Sequence, residues 1–339
     1  MLPKEKIAVI LAAHGEAETS RFIENYRVTR QTLAHASRVM PIARSVQRAI
    51  AVTSSVKKLV RSLSDTECSP HNRITRDQAR ALQLYLDSSP SAGHFTFEVH
   101  AGFSASPPFV ESIIEKTRLY DGQVIVSMSP VDNSLSCGLL CDYLASCRSS
   151  EELRNVKVLS RFWNDERLYS VYLDHLFENA FIKNPVMSAG RGEKRRLLLL
   201  FHGTLIADGR GGVPSFRTGY EETMMFADRL HHLILGDPRN PYGSVMTAYL
   251  NHKVGGEWTK PSFEESSALL RDENCPAVDL FCCGYFADGN ETIRRAEELV
   301  HSGSVSDAVS LPCVNSSAAF TAYLASRVTD AAMQIMKWR

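Results

Sequence analysis

Residues 197–203 read LLLLFHG, and no other stretch constrains the fold as much. Four leucines and a phenylalanine in a row lack the alternation of a one-sided strand and the length of a helix. Such a run fits a strand buried on both faces, the mark of a parallel sheet covered by helices. It stops at His202-Gly203, so an imidazole projects from the strand's carboxyl end. Residues 7–13, IAVILAA, form a second run of this kind, which also stops at a His-Gly pair, His14-Gly15.

Around these two strands, short apolar runs alternate with helical patterns. Further strands are predicted at 95–101, 123–128 and 156–160 in the first half, and at 244–249, 278–283 and 305–310 in the second. Helices are predicted at 18–33, 42–63, 75–86, 108–118, 134–145, 166–177, 218–235, 263–271, 290–301 and 316–337. Alternation of this kind implies an α/β protein with two Rossmann-like, doubly wound domains, each with a parallel four-stranded sheet. Residues 184–193, with Pro185, Gly190 and Gly192, read as the linker, which sets a first domain at 1–183 and a second at 184–315. Ligands of such sheets bind at the carboxyl ends of strands, so both His-Gly pairs are expected to face a cleft between the domains.

Two helical segments follow the first strand. The second carries Ile42, Val46, Ile50 and Val56 at apolar spacing and Arg44, Arg48 and Lys57 on its outer face. It reads as half of a packed amphipathic hairpin or as a flap lying against a membrane.

Charge narrows the function. Lys+Arg and Asp+Glu both number 38, and the pI is about 7.2. The field that draws proteins to nucleic acid is absent, so no nucleic-acid partner is expected. The opening, MLPKEKIAVILAAHGEAE, has an apolar run too short for a signal peptide or spanning helix. A cytoplasmic protein is expected, compatible with peripheral membrane contact, as monomer or homodimer. The eight cysteines show no CxxC pair. Cys137, Cys141 and Cys147 cluster loosely and Cys282-Cys283 fall in a strand, so free thiols are expected rather than an iron-sulfur cluster.

Chemistry concentrates near His202. In CCGYFADGNETI, Asp288 and Glu291 follow another buried strand of the same half, on the same carboxyl side. Acids there cap and complement a helix, which explains Asp288 better than Glu291. An imidazole facing a carboxylate supports either of two chemistries. One is handling of a borderline divalent metal such as ferrous iron, cobalt or zinc, and the other is proton transfer near neutral pH. No GxSxG, Walker, HExxH or GxGxxG motif stands in a suitable place.

The order of short motifs resembles the ferrochelatases. In the second half these are FHG at 201–203, Gly212 and Pro214 ahead of Glu222-Thr223, NHKVGGEW at 251–258, GYFADGNET at 284–292 and LPCVN at 311–315. In the first half they are SPHNRITRDQA at 69–79, HAGF at 100–103 with Pro108, Pro130 with Ser136 and Gly138, and the segment around Trp163. The resemblance implies a chelatase-like fold whose C-terminal helix, 316–339, packs back on the first domain. It implies insertion of ferrous iron, a substrate, into a porphyrin, with no tightly bound cofactor and with porphyrin and divalent metal as the small-molecule partners. It implies His202 as proton acceptor or metal ligand, Glu291 as its carboxylate partner, and Trp258 as part of the porphyrin pocket.

Ser136 occupies a family landmark of the porphyrin side, and Ser104 stands where the family often has an arginine. His14 lies where the roof of the site is expected, with no assigned role beyond a structural one or a second porphyrin or metal ligand. Arg30, like Arg27, His71 and Arg73, is of a type that grips porphyrin carboxylates. The chain also departs from the pattern. Arg295 and Leu299 replace an acidic line after Glu291, and Asp132 stands where the family favours tyrosine. These departures keep two alternatives open: a non-catalytic porphyrin- or haem-binding homologue, and a chelatase for another ring and metal, such as sirohydrochlorin and cobalt.

Overall fold

The computed structural model describes residues 4–38, 42–61, 68–90, 93–184, 195–252 and 256–337. The expected linker lies, after Asn184, outside them. The chain divides into two compact units, one made of the chain up to Ser160 and again from Phe320, the other running from Arg161 to Ala319.

In the first unit the order is β1 (Glu5–Ala13), α1 (Phe22–Ala36), α2 (Arg44–Arg61), α3 (His71–Ser88), β2 (Phe95–Phe103), α4 (Val110–Lys116), β3 (Gly122–Ser127), α5 (Cys137–Cys147), the short α6 (Ser150–Leu153) and β4 (Val156–Leu159). The strands are parallel in the order β2-β1-β3-β4. β1 is therefore central, and Ile7 to Leu11 are fully buried, as an unbroken apolar run requires. On one face Ile10, Ile125, Ile113 and Leu140 pack into a single core.

α1 and α2 pair as a hairpin, but not through the expected apolar stripe. The buried residues of α2 are Gln47, Ala51 and Ser55. Gln47 donates to Ile42 O over 2.8 Å and to Ser37 Oγ over 3.3 Å. Small and hydrogen-bonded groups take the packed face, which leaves Val46, Ile50 and Val56 exposed.

The second unit opens with a 3₁₀ turn, Phe162–Asn164, followed by α7 (Glu166–Lys183), β5 (Arg195–His202), β6 (Leu205–Asp208), α8 (Tyr220–Gly236), β7 (Ser244–Leu250), β8 (Gly256–Trp258), α9 (Phe263–Asp272), β9 (Ala277–Phe281), α10 (Arg295–His301) and β10 (Asp307–Leu311). α7 groups with this unit, so the division comes earlier than residue 183. The reason is its inner face: Tyr172 packs edge-on to Phe226 and Phe281, and its hydroxyl donates to Cys283 O over 2.9 Å.

Four strands again run parallel, in the order β10-β9-β5-β7. Counted within each unit, this is the β2-β1-β3-β4 arrangement a second time, with β5 in the place of β1. Leu197 to Leu200 are fully buried and Phe201 almost so. A feature absent from the sequence pattern is the antiparallel ribbon of β6 with β8, which pairs Leu205 with Trp258. After β10 comes α11 (Ala318–Lys337). Its Ile335 lies against Gly122 of the first unit's sheet, where an added Cβ would stand 3.3 Å from Ile335 and 2.9 Å from Ile7.

Candidate metal centre

β5 ends in His202, and close backbone approaches fix where that end lies. His202 pairs with Leu250 of β7, and Gly203 N donates to Leu250 O over 2.9 Å. On the other side Gly284 N donates to Leu200 O over 3.0 Å. A Cβ at Gly284 would stand 2.6 Å from His202 N and 2.7 Å from Phe201 Cα, and one at Gly203 would stand 2.7 Å from Leu250 O. Only glycine fits where three chain segments converge in this way.

His202 Nδ1 lies 2.7 Å from Gly203 O. A carbonyl can only accept, so Nδ1 carries the proton and the lone pair of Nε2 faces outward. Facing it at 4.0 Å is Glu291 Oε2. That span is too long for a hydrogen bond, yet lies within the roughly 4.2 Å that two ligands of one ion can cover at about 2.1 Å each.

Glu291 sits in the turns between β9 and α10, held from two sides. Tyr285 donates to Oε2 over 2.8 Å, and Arg295 Nε donates to the Glu291 carbonyl over 2.8 Å. Burial works to raise the Glu291 carboxyl, but the His202 and His252 imidazoles and the Tyr285 hydroxyl outweigh it and hold it below the usual carboxylate range. Burial, with the Glu291 charge, pushes the Tyr285 phenol well up, so it stays a donor.

Asp288 does a different job. Its Oδ2 accepts from Asn315 Nδ2 over 2.7 Å and from Cys313 N over 3.2 Å, and its Oδ1 accepts from Thr292 over 3.0 Å. It ties the post-β9 loop to the post-β10 loop and leaves Glu291 as the carboxylate at the histidine. Arg295, in the position of the missing acidic line, also pairs with Glu298 at 2.7 Å, and Leu299 is core.

The sequence reading missed His252. It lies two residues past β7, inside the quoted NHKVGGEW, and its ring centroid is 5.6 Å from that of His202 and 5.2 Å from that of Trp258, both edge-on. His202, His252 and Glu291 each bring a ligand atom within 4.8 Å of the others. Partial loss of hydration around its ring draws His252 below the usual imidazole value and the His202 charge adds to this, while Glu291 opposes it. The signal that found His202, a histidine just past a strand of the sheet, applies equally to His252.

Trp258 thus joins this cluster, carried there by the β6-β8 ribbon. The other anticipated residues sit at the first unit. His14 follows β1, is exposed, and its Nε2 is 3.2 Å from Thr32 Oγ1. Ser104 follows β2 and donates its N–H to Ala13 O over 3.0 Å. Ser136 precedes α5 and its Oγ accepts from Asn133 N over 3.1 Å. Arg30, on α1, places its guanidinium 5.9 Å from the Tyr26 ring centroid. The described cysteines are free thiols.

Two imidazoles and a carboxylate form a donor set for a borderline divalent ion, and an imidazole nitrogen is also of a type that accepts protons. Ferrochelatase 1 of Shewanella oneidensis is 25% identical over 272 residues, 77% of this chain and 74% of that protein. The Ferrochelatase of Pectobacterium atrosepticum is 24% identical over 249 residues, 72% of this chain and 69% of that one. In fold the chain is similar to SirB from Bacillus subtilis with Fe3+, with a TM-score of 0.50, 11% identity and 96% of each chain covered. The family model described as Ferrochelatase matches residues 6–332. The match takes in both sheets and every residue of the centre, and the chain belongs to the ferrochelatase family.

Proposed function

We propose that the protein is a metal chelatase that inserts ferrous iron into a porphyrin, protoporphyrin IX or coproporphyrin III, releasing two protons, as a lyase of haem biosynthesis. Family membership supports the reaction class. The observation that carries the reading is the pair His202 Nε2 and Glu291 Oε2, 4.0 Å apart at the carboxyl end of a buried parallel strand.

Insertion requires a group that accepts a pyrrole proton and a group that stabilises the cation while its water is lost. The outward lone pair of His202 suits the first task, and the carboxylate, kept ionised by its neighbours, suits the second. Trp258 supplies a flat apolar surface beside them. The assignment of His14, Ser104, Ser136 and Arg30 to porphyrin binding rests on resemblance alone.

The test is anaerobic incubation with ferrous iron and each porphyrin in turn. Metalloporphyrin absorption supports the reading, and tight porphyrin binding without turnover would replace it with a carrier role. A second reading, a chelatase for another tetrapyrrole such as sirohydrochlorin with cobalt, is favoured by the extra imidazole of His252. The same assay with sirohydrochlorin and Co2+ separates the two.

Among the described residues no helix is long and apolar enough to cross a membrane. For a cytoplasmic protein with peripheral contact, α2 is the surface we assign. It has five basic residues and no acid. Val46, Ile50, Val56 and Val60 are all at least 45% exposed except Ile50 at 40%. Exposed apolar side chains among cations complement an anionic bilayer surface.

A further inference from the structure

We propose that His252 makes the centre hold a divalent ion before any ring is bound: His202, His252 and Glu291 form a three-donor face that leaves the ion's other positions to water. The proposal rests on the chelatase reading of the same site. It goes past that reading in assigning His252 and in giving the site an affinity of its own.

A single imidazole with a single carboxylate offers an ion two anchors. The third ligand atom lies within 4.8 Å of both, so small side-chain rotations bring all three to one ion. Among the described residues no other trio of His, Cys, Asp or Glu does this.

The three donors are also oriented in advance. His202 is fixed by its Nδ1–H on Gly203 O, Glu291 by Tyr285 and through its backbone by Arg295, and His252 stands edge-on to the Trp258 and His202 rings. Partners of this kind set ligand orientation and raise affinity. A nitrogen-rich set of two imidazoles and one carboxylate selects ferrous iron, cobalt or zinc over magnesium or calcium, which prefer all-oxygen sites. Metal-first binding follows: the ion waits on the three donors, and Nε2 of His202 is released to accept a pyrrole proton as the ion passes to the ring.

The experiment is a titration of the metal-free full chain with Co2+ in the absence of any porphyrin, read by visible d–d absorption and equilibrium dialysis. Stoichiometric uptake is expected. His252→Ala should weaken it by more than about tenfold, the scale on which even outer-shell partners of a metal count, and should change the band intensities. His232→Ala, altering an exposed histidine of α8, should leave both unchanged. His252 is itself exposed, and melting of the metal-free variant shows that the fold is kept. The proposal is overturned if wild type takes up no cobalt, or if His252→Ala binds it as tightly with the same spectrum. Insertion of iron by a protein that holds no ion alone would refute this proposal only; cobalt held without turnover of any ring would refute the chelatase reading only.

Discussion

The Tyr285 hydroxyl donates over 2.8 Å to the same Glu291 oxygen that stands 4.0 Å from His202 Nε2. One carboxylate oxygen thus answers to both groups, and its direction is set by the phenol. Tyr285→Phe removes the bond and keeps the ring. Turnover should fall about tenfold with the KM for the ring little changed, which initial rates at varied porphyrin will show.

His202→Ala and Glu291→Gln should cost far more. Each removes a group proposed to act on the reacting atoms, and loss of a placed acid or base typically lowers rate by about 10² or more. Single-turnover metal insertion is the measurement. Either variant matching wild type would reassign that residue.

Gly284 has no room for a methyl group, since its Cβ would meet the backbone of Phe201 and His202 at 2.7 and 2.6 Å. Gly284→Ala should destabilise by about 1–3 kcal/mol, the range of overpacking, in urea unfolding. It should also lower activity even where the protein is folded, because it displaces the end of β5.

One contribution to stability should be lost in mild acid. His35 is buried on α1, 3.2 Å from Gln31 Nε2. Burial lowers its ring below 6.5, Arg38 adds to this and Glu111 opposes it. The folded state then binds fewer protons than the unfolded chain below about pH 6.5, so this contribution is complete above that pH and is lost as pH falls. His100, lowered by burial against the pull of Glu98, acts in the same direction. Asp279, raised by burial to about 6, acts oppositely. The decisive comparison is therefore between proteins: His35→Gln should flatten the drop in Tm between about pH 7.5 and about pH 5.5.

For α2, sedimentation with phosphatidylserine vesicles should carry the protein down, less so in high salt and little with neutral vesicles. Lys57→Glu should weaken it several-fold, at about 1 kcal/mol for each basic residue near the surface. Equal binding to neutral and anionic vesicles would remove charge from the account.

How much of this was legible in the sequence depended on the length of each signal. LLLLF and IAVILAA announced both central strands, since an unbroken apolar run has few other homes. β6 and β8, of four and three residues, are too short to carry a period, and so the ribbon that places Trp258 was invisible. His202 stood out because its strand did; His252 follows SVMTAYL, a strand whose residues are only half apolar-packed. Asp288 and Glu291 read alike as acids following a buried strand, with Glu291 inside a helix expected from residue 290; α10 starts only at Arg295, and hydrogen-bond partners far along the chain, Cys313 and Asn315, make Asp288 the structural one. In α2 the stripe of valine and isoleucine pointed to a packed face, whereas Gln47 and Ser55 could pack there by finding local hydrogen bonds.

The packing of Ile335 against Gly122 bears on the order in which the protein is made. The second unit is continuous in sequence and is complete once Ala319 has left the ribosome. The first unit, although its strands are synthesised earliest, stays open on one side of β1 and β3 until α11 emerges. The nascent chain must therefore carry an unfinished apolar sheet through the synthesis of an entire second one, and that interval is where a chaperone would find its substrate.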